Sequence, residues 1–287
     1  MKQIKYLISI VGFILFLWNI FKLLRVKIIL SFVVLLTVVS AYASCASNHI
    51  SVFPEGKTIR QKTIIMIEGY AQSQKIINQL GTTYPVYLKS GHTKVKLIVK
   101  ETLTGQFQLT QAILEPESGL KIGVKYELVI DSLPKFEYLA RWNPTNKKRE
   151  PIIYEVIEGN DSEQPKFQSV PKETSKSLIH YGCGPEKHVN FSCFVSDSSE
   201  YLVKATVKNM TTSVSTSYYV RHTDSTVSVG HGMCSGAFRF NEDANYQVVF
   251  SLLDMAGNTT EWVGDSIPFT KPEESERKKP TISIDEE

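Results

Sequence analysis

Two short stretches concentrate the reactive side chains of this sequence: HYGCGPEKHVNFSC at residues 180–193 and GHGMC at 230–234. His180 and Cys183 share the spacing of His231 and Cys234, so the two clusters together offer a metal four soft ligands. The cysteines also have a second chemistry. Thiols of an exported protein oxidise, and Cys234 is then expected to bond one of the two earlier cysteines. The expected pair is Cys183 with Cys234, because Cys183 lies in a Gly-flanked turn before Pro185, where a bridge can tie a loop to a strand. Cys193 alternates with Val189, Phe191 and Val195 on an apolar face and reads as a buried thiol, leaving Cys193 with Cys234 as the competing pairing. Closing a loop of roughly fifty residues would stabilise the fold by ~4 kcal/mol in the chain-entropy picture.

Other chemistries find no support. The sequence has no GxSxG elbow, HExxH, phosphate loop or dinucleotide fingerprint. Ser132 with Lys135 and Ser169 with Lys172 match SxxK, but both lie in Pro-bearing connections where the pair cannot share a helical face. Asp197, Asp224, Asp243, Asp254 and Asp265 stand near turns without the alternating oxygen spacing of a calcium loop, so they read as turn formers. A non-enzymatic protein without a cofactor is expected.

Charge and hydropathy speak to the compartment. The formal charge of +3 comes from the first 45 residues, which carry Lys2, Lys5, Lys22, Arg25 and Lys27 and no acid. Taking these 5 from 32 basic residues leaves 27 against 29 acidic ones, a balance that excludes nucleic acid as the main partner. Apolar runs at 7–21 and 28–39 flank a basic hinge. A transmembrane hairpin would strand Lys22, Arg25 and Lys27 outside, against the positive-inside rule. The second run instead fits a signal peptide of its own, with Lys27, an apolar core and the small-residue site Ala41, Tyr42, Ala43. On this reading Val26 is the true initiator, and an uncleaved signal anchor is the alternative.

The elements that would position these residues are strands. Residues 246–262 hold the strongest pattern: Tyr246, Val248, Phe250 and Leu252 fall on one face, Val249 and Leu253 on the other, as in a strand buried on both sides. Gly257 and Asn258 then supply a tight reversal into Thr259, Thr260 and Trp262. Runs at 64–67, 86–88, 95–99, 126–130 and 152–157 precede it, with runs at 189–195, 201–207, 218–220, 226–229 and 237–240 in the later half. A short helical turn is expected within 72–80, and Lys147, Lys148 and Arg149 read as a solvated hairpin tip.

Three resemblances sharpen this picture. The hairpin ending in Asp254 and Gly257-Asn258 resembles the penultimate hairpin of bacterial immunoglobulin-like modules. Pro54, Gly56 and Ile59, with Leu114, Pro116, Leu120, Gly123 and Tyr126, resemble the opening and the final hairpin of the surface-layer type of that module, over about eighty residues. Tyr42, Ala43, Ser44 and Cys45 resemble the lipobox of bacterial lipoproteins, with Tyr42 where that family has Leu; the resemblance implies lipidation of Cys45. Cleavage after Ala43 with free secretion is the alternative.

The expected architecture is therefore all-β. A signal or anchor region at 1–45 precedes two tandem immunoglobulin-like sandwiches at 46–158 and 159–272 and a disordered charged tail at 273–287. The expected role is a structural or interaction protein of the bacterial cell envelope, membrane-anchored, with an unknown protein or glycan partner. Two alternatives stand beside it. One is an adhesin whose loop tips at 209–212 or 235–238 bind carbohydrate or protein. The other is an envelope metal-binding protein using His180, Cys183, His231 and Cys234.

Overall fold

The computed structural model describes residues 27, 45, 48–242 and 244–273. The signal segment, the Val26 start and the charged tail after residue 273 lie outside the described residues. Among the described residues no helix is long and apolar enough to cross a membrane.

The chain is all-β. Its first half contributes β1 (His49–Phe53), β2 (Thr58–Ile59), β3 (Ile65–Tyr70), β4 (Val86–Ser90), β5 (Thr93–Thr104), β6 (Leu109–Pro116), β7 (Lys125–Ile130), β8 (Arg141–Asn143), β9 (Lys148–Glu150) and β10 (Ile153–Val156). Eight of these form one sheet in the order β1-β3-β6-β5-β4-β7-β10-β2, with β8 and β9 a separate ribbon. The long β5 serves both halves of the sheet: residues 93–96 pair with β4, and residues beyond them pair with β6 around an irregularity between Val99 and Glu101. Ile65, Ile67 and Leu114 from one half and Leu88, Tyr126 and Tyr154 from the other fill a single core, so the sheet wraps around it. The expected helical turn is present as α1 (Gln74–Ile77).

The second half holds β11 (Lys166–Phe167), β12 (Lys172–Tyr181), β13 (Gly184–Ser192), β14 (Val195–Ser196), β15 (Tyr201–Asn209), β16 (Ser215–Val220), β17 (His222–Thr223), β18 (Thr226–His231), β19 (Asn245–Asp254), β20 (Thr259–Glu261) and β21 (Ile267–Thr270). A sheet β12-β13-β18-β17 faces a sheet β16-β15-β19-β20, in which β21 also pairs with β19. Phe191 of the first meets Phe250 of the second edge to face at 5.4 Å.

The hairpin at 246–262 forms as expected, Leu252 opposite Thr260. Gly257 takes φ +89°, while Asn258 contributes through its side chain rather than through a positive φ. The double-faced apolar pattern of β19 has a specific cause. Tyr246, Val248, Phe250 and Leu252 enter the second core, whereas Leu253 and the following Met255 join Leu202 and Tyr219 in the first. The two halves thus share an apolar seam, and the described residues from Cys45 onward form one compact unit.

Two expectations fail here, and one strand was not foreseen. The hairpin expected around Gly123 is absent: β6 pairs with β3 and β5, and β7 with β4 and β10, because each strand extends a different half of the wrapped sheet. Ala237, Phe238 and Phe240 are buried without strand pairing, the backbone of the segment engaged by the β5–β6 loop and by the Gly230 carbonyl instead. The ten-residue β12 went unread because it lies at a sheet edge and is mostly exposed, so its sequence carries no apolar alternation.

Candidate functional site

The disulfide of the structure joins Cys45 to Cys234, with Cα atoms 5.5 Å apart and a separation of 189 positions in sequence. The expected Cys183–Cys234 bond is therefore corrected. Cys183 occupies the turn between β12 and β13, and a Cβ placed on its neighbour Gly184 would lie 3.8 Å from the Met233 carbonyl oxygen. The neighbourhood was legible, the partner was not. A sulfur held in this bond cannot also carry an acylglyceryl thioether, so the bridge and the expected lipidation of Cys45 exclude one another. The bridge also removes Cys234 from the soft ligand set with His180, Cys183 and His231. Cys193 is buried and unbridged, as expected, and burial pushes its thiol up to about 12.

His231 is 8% exposed, stands edge to face with Phe107 at 5.7 Å and has Nδ1 2.9 Å from the Gly232 carbonyl. Burial lowers its pKa, and the Arg239 and Lys187 charges act in the same direction. Its place is in a clamp between the two halves. Phe107 and Gly236 exchange backbone hydrogen bonds, Gln106 donates to the Ala237 carbonyl at 2.9 Å, and the Gln106 side chain accepts from Arg239 N. With Ala237 and Phe238 buried, the segment 235–238 is packed rather than free, which removes one of the two expected adhesin tips. The other, 209–212, is the exposed tip of the β15–β16 hairpin, closed by Asn209 Oδ1 accepting from the amides of Thr211 and Thr212.

A cluster that the sequence did not reveal forms where three separate segments meet. Ligand oxygens of Asp161, Asp197 and Asp254 lie within 4.8 Å of one another, a set of hard donors. Asp254 is fully buried, and its carboxylate accepts from Ala256 N, Asn258 N and Asn258 Nδ2. Burial raises its pKa against those hydrogen bonds, and the Asp197 and Asp161 charges raise it further. Asn258 Nδ2 also donates to the Glu163 carbonyl at 3.0 Å, fixing the connection between the halves.

A separate concavity lies away from these clusters. A cleft of about 620 Å³ opens between the β8–β9 ribbon and the edge where β2 runs parallel to β10. Arg141 anchors the ribbon: its guanidinium donates to the carbonyls of Pro54, Glu55 and Gly56 and to the Tyr154 hydroxyl. Trp142, next in the chain, lines the cleft with 61% of its surface exposed. Asn143 Nδ2 donates to Glu150 Oε1 at 2.9 Å, and Asn143 Oδ1 accepts from Thr145 N, so the ribbon's turn is ordered by its own side chains. The basic tip read from the sequence is this ribbon. Lys147, Lys148 and Arg149 are exposed, and Arg149 stacks over Tyr138 at 4.7 Å.

No family model matches the chain, and no curated protein matches it either. Among solved structures, pullulanase type I from Bacillus subtilis str. 168, complexed with maltose, aligns at 9% identity and a TM-score of 0.24, over 78% of this chain and 25% of that one. Pullulanase from Anoxybacillus sp. LM18-11 aligns at 8% identity and a TM-score of 0.21, over 73% of this chain and 24% of that one. The chain spans about a quarter of the length of these neighbours, and overlaps this weak carry no argument.

Proposed function

We propose that the chain is an exported, non-enzymatic interaction protein of the bacterial cell envelope, built from two immunoglobulin-like β-sandwich modules and held to the membrane through its N-terminal apolar segment. The observation that carries this reading is the Cys45–Cys234 bridge. A structural disulfide persists in oxidising compartments, and in this chain its first cysteine follows closely on an apolar run of the kind that directs export. The module reading is supported by the two antiparallel sheets facing across one core in the second half and the wrapped sheet around its own core in the first.

Polar contacts across the seam suit a rigid presenting body. The Glu200 carboxylate accepts from Glu55 N and Gly56 N at 2.9 and 2.8 Å, Lys204 pairs with Glu101 at 2.6 Å, and Tyr218 donates to Glu68 at 2.8 Å. Since Cys45 is engaged in the bridge, membrane attachment falls to the residues before it. Non-reducing digestion and mass spectrometry of protein recovered from the envelope fraction tests this. A peptide joining Cys45 to Cys234 is expected, and an acylated Cys45 or a reduced cytoplasmic protein would overturn the reading.

A further inference from the structure

We propose that the cleft between the β8–β9 ribbon and the β2–β10 edge binds a neutral oligosaccharide, with Trp142 as its stacking platform. This deepens the interaction-protein reading, on which it rests for context, by naming the ligand class and the site.

Aromatic exposure supplies the first argument. Phe136, Tyr138 and Trp142, within seven residues of one another, are 83%, 57% and 61% exposed, and such a concentration of apolar surface marks a contact site. Trp142 alone of the three lines the cleft. An indole face presented beside polar groups matches a pyranose ring, which has an apolar C–H face and a rim of hydroxyls.

The polar lining supplies the second. Glu55, Glu150 and Glu155 are balanced by Lys57, Lys125 and Arg141, so the cleft has no net charge to select an ion. Most of these charges already have partners: Lys125 with Glu155 at 3.6 Å, Glu55 with Arg221, and Arg141 with three backbone carbonyls. Bound hydroxyls would meet fixed donors and acceptors rather than uncompensated ions, which is the requirement of a neutral, hydroxyl-rich ligand.

Rigidity supplies the third. The Arg141 anchor, the Asn143–Glu150 hydrogen bond and the flanking Pro144 and Pro151 hold the platform in place before anything binds, which lowers the ordering cost. The cleft volume of about 620 Å³ suits a ligand of a few sugar units.

The test is calorimetric titration of the full chain with cellotriose, xylotriose, mannotriose and chitotriose, and with a heparin hexasaccharide as the charged probe. At least one neutral trisaccharide is expected to bind saturably. Trp142→Ala should weaken that binding by about tenfold or more, while Trp142→Phe keeps it within about threefold and both variants retain the wild-type Tm. The proposal is overturned if no neutral trisaccharide binds, if only the heparin probe binds, or if Trp142→Ala binds as well as wild type. A cleft that fails these tests leaves the Cys45–Cys234 peptide and the envelope reading untouched, whereas an acylated Cys45 with intact sugar binding would sink that reading and spare the cleft.

Discussion

The side chain of Gln111 completes the backbone of Tyr219 as a neighbouring strand would: its Nε2 donates to the Tyr219 carbonyl at 3.1 Å and its Oε1 accepts from the Tyr219 amide at 2.9 Å. Gln111 lies fully buried on β6, in the seam between the two halves. Replacing it with Met keeps the volume and leaves two backbone groups without partners. The expected loss is about 3 kcal/mol, read as a lower urea midpoint. A midpoint unchanged from wild type would show that water replaces the amide.

The disulfide closes a loop spanning 189 residues, and the chain-entropy account assigns such a closure about 5 kcal/mol. Cys45→Ser, Cys234→Ser and the reduced wild type should therefore unfold at one common, lower denaturant concentration. Cys183→Ser should unfold with the oxidised wild type. Equal destabilisation by Cys183→Ser would restore the pairing read from the sequence.

Gly236 sits where a side chain has no room. A Cβ there would stand 2.2 Å from the His231 Cβ and 2.8 Å from the Gly230 carbonyl, so backbone must move. Gly236→Ala is expected to cost more than ~2 kcal/mol and to open the clamp around Phe107, raising amide exchange at Gln106 and Phe107.

Acid should weaken the same region. His188 and His231 both have lowered pKa values, burial being the first cause in each, with Glu186 acting in opposition at both. The unfolded chain therefore takes up protons before the folded one. Their contribution is fully present above the ordinary histidine value of 6.5 and is lost as pH falls below it towards the folded pKa values. Tm should drop between pH 7 and pH 5, and a His188→Gln, His231→Gln double variant should flatten that part of the profile.

Legibility followed locality. The β19–β20 hairpin announced itself because its apolar period and its turn residues lie within seventeen positions of sequence, and the buried Cys193 could be read from its alternation with Val189 and Phe191. By contrast, β12 buries little and owes its shape to its ladder with β13, which no pattern in KETSKSLIHY betrays. Ala237 to Phe240 has the apolar content of a strand, yet its hydrogen bonds go to Gln106 and to the Gly230 carbonyl without forming a ladder. The acidic trio and the Cys45 partner depend on segments far apart in sequence, and Trp142 stood in a turn-rich stretch that read as a connection.

Mechanical load is where the bridge acquires a further consequence. β1 forms the outer edge of its sheet and pairs only with β3, over five residues. A pull applied upstream of Cys45 would ordinarily peel that strand away first. With Cys45 bonded to Cys234, tension passes through covalent sulfur into the far half of the molecule, and β1 is left slack until the bridge is reduced.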